Sequence, residues 1–111
     1  MYSRQELINN TRALKDANIT IKEQPDNPQF PVSLCYRKKT YAMLYATDTS
    51  VLIIAKLPKN FAQTVRQIHP RTKPAVFPKG ENWFAIIIDE TFQTKDEVHE
   101  ILNTAREFVR R

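Results

Sequence analysis

Val32-Ser33-Leu34-Cys35-Tyr36-Arg37-Lys38-Lys39-Thr40-Tyr41-Ala42-Met43-Leu44-Tyr45-Ala46-Thr47-Asp48-Thr49-Ser50-Val51-Leu52-Ile53-Ile54-Ala55-Lys56 decides the fold. Val32, Leu34 and Tyr36 alternate with Ser33, Cys35 and Arg37, the pattern of a half-buried strand. Lys38-Lys39-Thr40 then reads as a turn. Tyr41 to Thr47 reads as a second strand, with Tyr41, Met43 and Tyr45 on one face. Asp48-Thr49-Ser50 is the next turn. Val51 to Ala55 is β-branched and apolar at every position, which predicts a central strand covered on both faces. Three strands on short connections make an antiparallel meander.

Helical signals flank the meander. Ser3-Arg4-Gln5-Glu6 has capping-box form, and Leu7, Ile8, Thr11 and Leu14 keep to one helical face. This helix is expected to end near Asp16 or Ala17, with Asn18 as its stop. Ile19 to Lys22 suits a short strand. Gln24 to Pro31 is an extended loop, because each proline pushes its predecessor away from helix. After the meander, Pro58 suits a first helical turn, and Phe61, Val65 and Ile68 form the apolar face of a helix ending before Pro70. A proline-spaced basic arm follows, from His69 to Gly80, mainly loop or hairpin. Trp83 to Ile88 is a strand. Thr94-Lys95-Asp96-Glu97 is a second capping box. Val98, Ile101, Leu102, Ala105, Phe108 and Val109 carry the last helix almost to Arg111. The expectation is one α+β domain over residues 1–111. In it, helices pack on one side of an antiparallel sheet of four to five strands.

Composition narrows the function classes. The longest apolar runs are strand-length, far short of the roughly 18 residues that cross a bilayer. The N-terminus lacks the apolar core of a secretory signal. The single cysteine, Cys35, allows no intrachain disulfide. These features lead to an expected cytoplasmic location, with no membrane partner. Net charge is +5, unevenly spread. Residues 32–80 hold nine bases against one acid, Asp48, whereas the remainder holds eight bases and eleven acids. A positive face is the natural reading.

Catalytic and metal signatures are not legible. His69 and His99 accompany no nucleophile motif. Cys35 sits in a strand, where an inert buried thiol is the rule. One cysteine and two separated histidines do not make a zinc site. Asp96, Glu97 and Glu100 occupy the start of a helix, where carboxylates complement the dipole. The expectation is therefore no enzyme, no cofactor and no metal.

The stretch from Leu57 to Trp83, L-P-K-N-F-A-Q-T-V-R-Q-I-H-P-R-T-K-P-A-V-F-P-K-G-E-N-W, is the most distinctive. With Tyr36 to Leu44 and the last amphipathic helix, it resembles the MmcQ/YjbR family of small bacterial proteins over nearly the whole chain. The sequence departs from that pattern at Pro28-Gln29-Phe30-Pro31, where a glycine beside an aromatic is expected. The resemblance implies helices against an antiparallel sheet and a DNA-binding role through a double-wing-like surface. It transfers no catalytic residue. On the residues themselves, the candidate phosphate contacts are Lys38, Lys39, Lys56, Lys59, Arg71, Lys73 and Lys79. Phe77 and Trp83 are candidates for stacking on bases, although both also suit a core, Trp83 especially. The alternative is a protein-interaction module presenting Tyr41, Met43 and Tyr45 on an exposed sheet face.

Overall fold

A computed structural model describes residues 3–24, 26, 30–46, 50–76, 78, 80–89 and 91–111. Among these the elements run α1 (Arg4–Ala13), β1 (Ile19–Lys22), β2 (Val32–Tyr36), β3 (Lys39–Ala46), β4 (Val51–Lys56), α2 (Lys59–Ile68), β5 (Lys73–Pro74), β6 (Trp83–Ile88) and α3 (Lys95–Arg110). The six strands form one sheet in the order β1-β2-β3-β4-β6-β5. Every pairing is antiparallel. The class is α+β, as expected. The expected strand Ile19–Lys22 forms one edge as β1, and the sheet exceeds the four to five strands expected because the basic arm adds β5 to the other edge. Pro74 is tolerated in β5 because an edge strand has one hydrogen-bonding side free.

All three helices lie on one face. Leu7 and Ile8 of α1, Ala62 and Val65 of α2, and Val98, Ile101, Leu102 and Ala105 of α3 share a core with Leu34, Leu44, Ile53 and Ile86 of the sheet. β4 is central, as its unbroken apolar run requires. The opposite face carries a smaller cluster of Met43, Ile54 and Ala85, flanked by Tyr45, Leu52, Ala75 and Trp83, and no helical residue joins it.

The helix ends follow local chemistry. The Ser3 hydroxyl accepts the Glu6 amide at 3.1 Å, and Glu97 closes the capping box of α3. α1 stops at Ala13, earlier than expected. Lys15 adopts φ 52° and reverses the chain, and Asp16 then accepts the Asn18 amide. In α2 the buried positions are Ala62 and Val65, while Ile68 is 59% exposed. Of the expected Phe61, Val65, Ile68 face, Val65 is buried and Phe61 packs against the core, and only Ile68 is left out of it.

Two further corrections concern β3. The turn is Arg37-Lys38, not Lys38 to Thr40, and Tyr36 and Lys39 are paired across it. The expected second turn lies partly outside the described residues, at Asp48 and Thr49. The β2–β3 register also shifts. Leu34 faces Ala42 but Cys35 faces Thr40, leaving Tyr41 as an extra residue. Such a bulge breaks the period-2 alternation. Tyr41 therefore turns beneath the helices, 1% exposed, while Met43 and Tyr45 face the other way. The expected Tyr41, Met43, Tyr45 face is not one face.

Candidate nucleic-acid interface

β2, β4 and β5 end, and β3 and β6 begin, at the same end of the sheet. That end gathers Arg37 and Lys38 in the hairpin turn, Lys39 opening β3, Lys56 closing β4 and Lys59 opening α2. Lys38, Lys39 and Lys56 make no ion pair among the described residues. Arg37 places its guanidinium over the Tyr36 ring at 5.5 Å. Lys59 is tied to Glu81 at 3.3 Å, with both side chains exposed, a contact worth little in water.

The turn itself is informative. A two-residue hairpin of this kind requires positive φ at both central residues, which Asn-Gly supplies most readily. Here Arg37 has φ 49° and Lys38 φ 68°. Each such placement of a residue with a Cβ costs about 1–2 kcal/mol. The chain holds two long cations where smaller residues fit more easily.

The remaining predicted cations are elsewhere. Arg71 lies toward the far end of the sheet, 3.5 Å from Asp89, whose side chain is only 7% exposed. Lys73 is exposed on β5, opposite Ala85, and so projects toward the helix-free face at its edge. Lys79 and Phe77 lie outside the described residues. Trp83 is half-buried on the helix-free face rather than enclosed beneath the helices. A Cβ added at Gly80, which has φ 151°, would meet its indole at 3.1 Å. The two described cations of the expected arm, Arg71 and Lys73, are thus divided between two places.

At the far end the structure assembles a network that the sequence left unlinked. His69, 5% exposed, stacks on Phe92 with ring centroids 3.6 Å apart. Its Nδ1 is 2.6 Å from Thr91 Oγ1, and its Nε2 is 3.0 Å from Glu97 Oε2. The Thr91 hydroxyl donates to Asp89 at 2.6 Å. His69 is thereby held between the Thr91–Asp89 pair on one side and the Glu97 carboxylate on the other.

The hydrogen bond from Thr91 holds the Asp89 carboxyl below its ordinary range, against the opposing effect of burial. Burial raises Glu97, but amides of Gln93 and Thr94 and the His69 ring outweigh it, and the net shift is downward. The spacing superficially matches a nucleophile, a base and an orienting acid. The Thr91 hydroxyl lies within hydrogen-bond reach of Asp89 as well as of His69, so the group is bonded on both sides. The arrangement clamps α2, the arm, the β6–α3 connection and α3 together.

The described residues contain no cluster of three or more histidine, cysteine, aspartate or glutamate side chains suited to a metal. No helix among them is long and apolar enough to cross a membrane. A cleft of about 200 Å³ between α1 and α3 is lined by Tyr41, His99 and Arg106. Burial raises the Tyr41 hydroxyl, partly offset by Arg106. Neither this cleft nor the one between α2 and β5 reaches His69. No family model, curated protein or solved structure matches the chain.

Proposed function

We propose that the chain is a non-enzymatic DNA-binding domain whose cationic sheet end contacts phosphate oxygens. The observation that carries this reading is the Arg37-Lys38 hairpin tip, beside Lys39 and Lys56, with no ion pair on the three lysines among the described residues. Strained backbone is retained where surrounding structure or function demands it, and here the residues in strain are the charges themselves. Desolvating phosphate contacts need such uncommitted cations more than they need a particular fold.

The MmcQ/YjbR resemblance supports the same class of partner. It is consistent with the ends of β2 and β5 and the starts of β3 and β6 lying at one end of the sheet. Lys56 closes the strand between them. In this reading Lys38, Lys39, Lys56 and Arg37 are the principal contacts, Lys59 assists, and Arg71 is committed to Asp89.

Fluorescence anisotropy on a duplex across a salt series tests the proposal. Four neutralised phosphates give a slope of log K against log salt near −3.6, roughly −0.9 for each. The combined Lys38→Ala, Lys39→Ala and Lys56→Ala variant should flatten the slope by about 2–3, while Arg71→Ala leaves it in place. An unchanged slope in the triple variant overturns the assignment.

A further inference from the structure

We infer that the helix-free sheet face is a platform on which the bases of a single strand stack, with Trp83 and Tyr45 as the stacking residues. The inference rests on the reading above and extends it from phosphates to bases. Three features of the face lead there.

The first is an absence of acids. None of the six strands contains an aspartate or glutamate. The second is the arrangement of lysines. Register places Lys22, Ser33, Met43, Ile54, Ala85 and Lys73 in one row across all six strands. Five strand spacings make this row about 24 Å long, with an ammonium at each end and, between them, Ser33 and the apolar Met43, Ile54 and Ala85. Lys56 lies next to Trp83 across β4 and β6, so a third cation adjoins the indole.

The third is the position of the aromatics. Tyr45 is on β3, paired with Leu52, and Trp83 is on β6, paired with Lys56. Two strand spacings across and four residues along separate them by roughly 16 Å. They are therefore separate stations along one path, not a stacked pair. Both are half-buried, fixed along one side by Met43, Ile54 and Ala85. An aromatic held in this way loses little freedom when a base stacks on it.

Charge selects the occupant. A second copy of the chain would bring Lys22, Lys56 and Lys73 against the same three lysines, with no acid in any strand to receive them. A polyanion with planar apolar bases satisfies both the cationic edges and the apolar centre. A duplex hides its bases and would use the sheet end alone. A single strand can use both surfaces, because Lys56 belongs to the end and to the face.

Trp83 is the only tryptophan in the chain, so its emission reports on this face directly. The test titrates the protein with a short oligothymidylate and with a blunt duplex of the same length. The oligothymidylate should quench Trp83, and the duplex should leave its emission nearly unchanged. Trp83→Leu and Tyr45→Leu should each weaken oligothymidylate binding by roughly ten- to hundredfold, the range expected for one lost stacking contact. Trp83→Phe should recover most of the loss. If Trp83→Leu fails to fold, wild-type emission and Tyr45→Leu decide the question.

Unchanged emission with unchanged Tyr45→Leu affinity overturns the base platform while leaving the phosphate reading intact. So does a concentration-dependent dimer that Tyr45→Lys dissociates, because a second copy then covers the face. Failure of both nucleic acids to bind at low salt removes the underlying reading as well.

Discussion

Replacing His69 by alanine should cost about 3–5 kcal/mol of folding stability, without altering the cationic end of the sheet. The magnitude follows from three contacts. The bond to the Glu97 carboxylate contributes about 1.5–3 kcal/mol and the one to the Thr91 hydroxyl about 0.5–1.5 kcal/mol. The Glu97 side chain is 31% exposed, which puts that bond at the lower end. Stacking on Phe92 adds about 0.5–1.5 kcal/mol. Domain stabilities of about 5–15 kcal/mol leave the variant folded but marginal. Urea denaturation, read as a midpoint shift at constant slope, measures the loss.

A His69/Glu97 double-mutant cycle separates the clamp from simple cavity formation, with an expected coupling of at least about 1 kcal/mol. A loss under about 1 kcal/mol together with zero coupling would refute the clamp, whatever the cavity did. DNA affinity measured well below the melting temperature should be unchanged, because His69 lies at the other end of the sheet from Lys38.

Acid should reach the same clamp. Asp89 and Glu97 are both held below their ordinary values of 3.8 and 4.5. The folded state therefore binds fewer protons than the unfolded state in that window, and stability falls as pH drops through the depressed folded values. Denaturation midpoints should decline from about pH 4.5 downward, and the decline should be shallower in Asp89→Asn and Glu97→Gln. Replacing Arg37-Lys38 by Asn-Gly should raise stability by about 1–2 kcal/mol as the turn loses its strain, yet weaken duplex binding. Calorimetry and anisotropy on the same protein check both halves. Cys35 is fully buried, with its sulfur 3.5 Å from the Thr40 hydroxyl. A thiol reagent should label it only when the sheet opens, so the labelling rate should rise steeply with urea.

Fold class was legible because hydrophobic period and capping boxes agree along most of the chain. The alternation in Val32 to Tyr36 and the run from Val51 to Ala55 located β2 and the central β4. Thr94-Lys95-Asp96-Glu97 located the start of α3. Tyr41 was misassigned because period-2 counting has no term for an inserted residue, and a bulge moves a side chain to the other face. Ile68 was misassigned because helical periodicity reports which residues share a stripe, not which of them tertiary packing covers. The cations were visible as a run in sequence, but their grouping depends on strand direction. Arg37 and Lys56 are far apart in the chain and meet at one end of the sheet, whereas Arg71 and Lys73 are near neighbours that separate. Glu97 was legible only as part of its capping box, and His69 and Thr91 carry no motif that links them to it, so the clamp exists only as a tertiary arrangement.

β5 comprises only two residues and finishes at Pro74, with the Ala75 amide then bonding the Trp83 carbonyl. An open sheet edge normally offers a ladder of free amides and carbonyls to any extended chain that passes. Here the strip is too short to seed another strand, and its proline has no amide to donate. The border beside Trp83 is therefore closed to runaway cross-chain pairing. A concentrated solution of the protein should resist fibril growth from this side, leaving the β1 margin as the side through which edge-to-edge aggregation could begin.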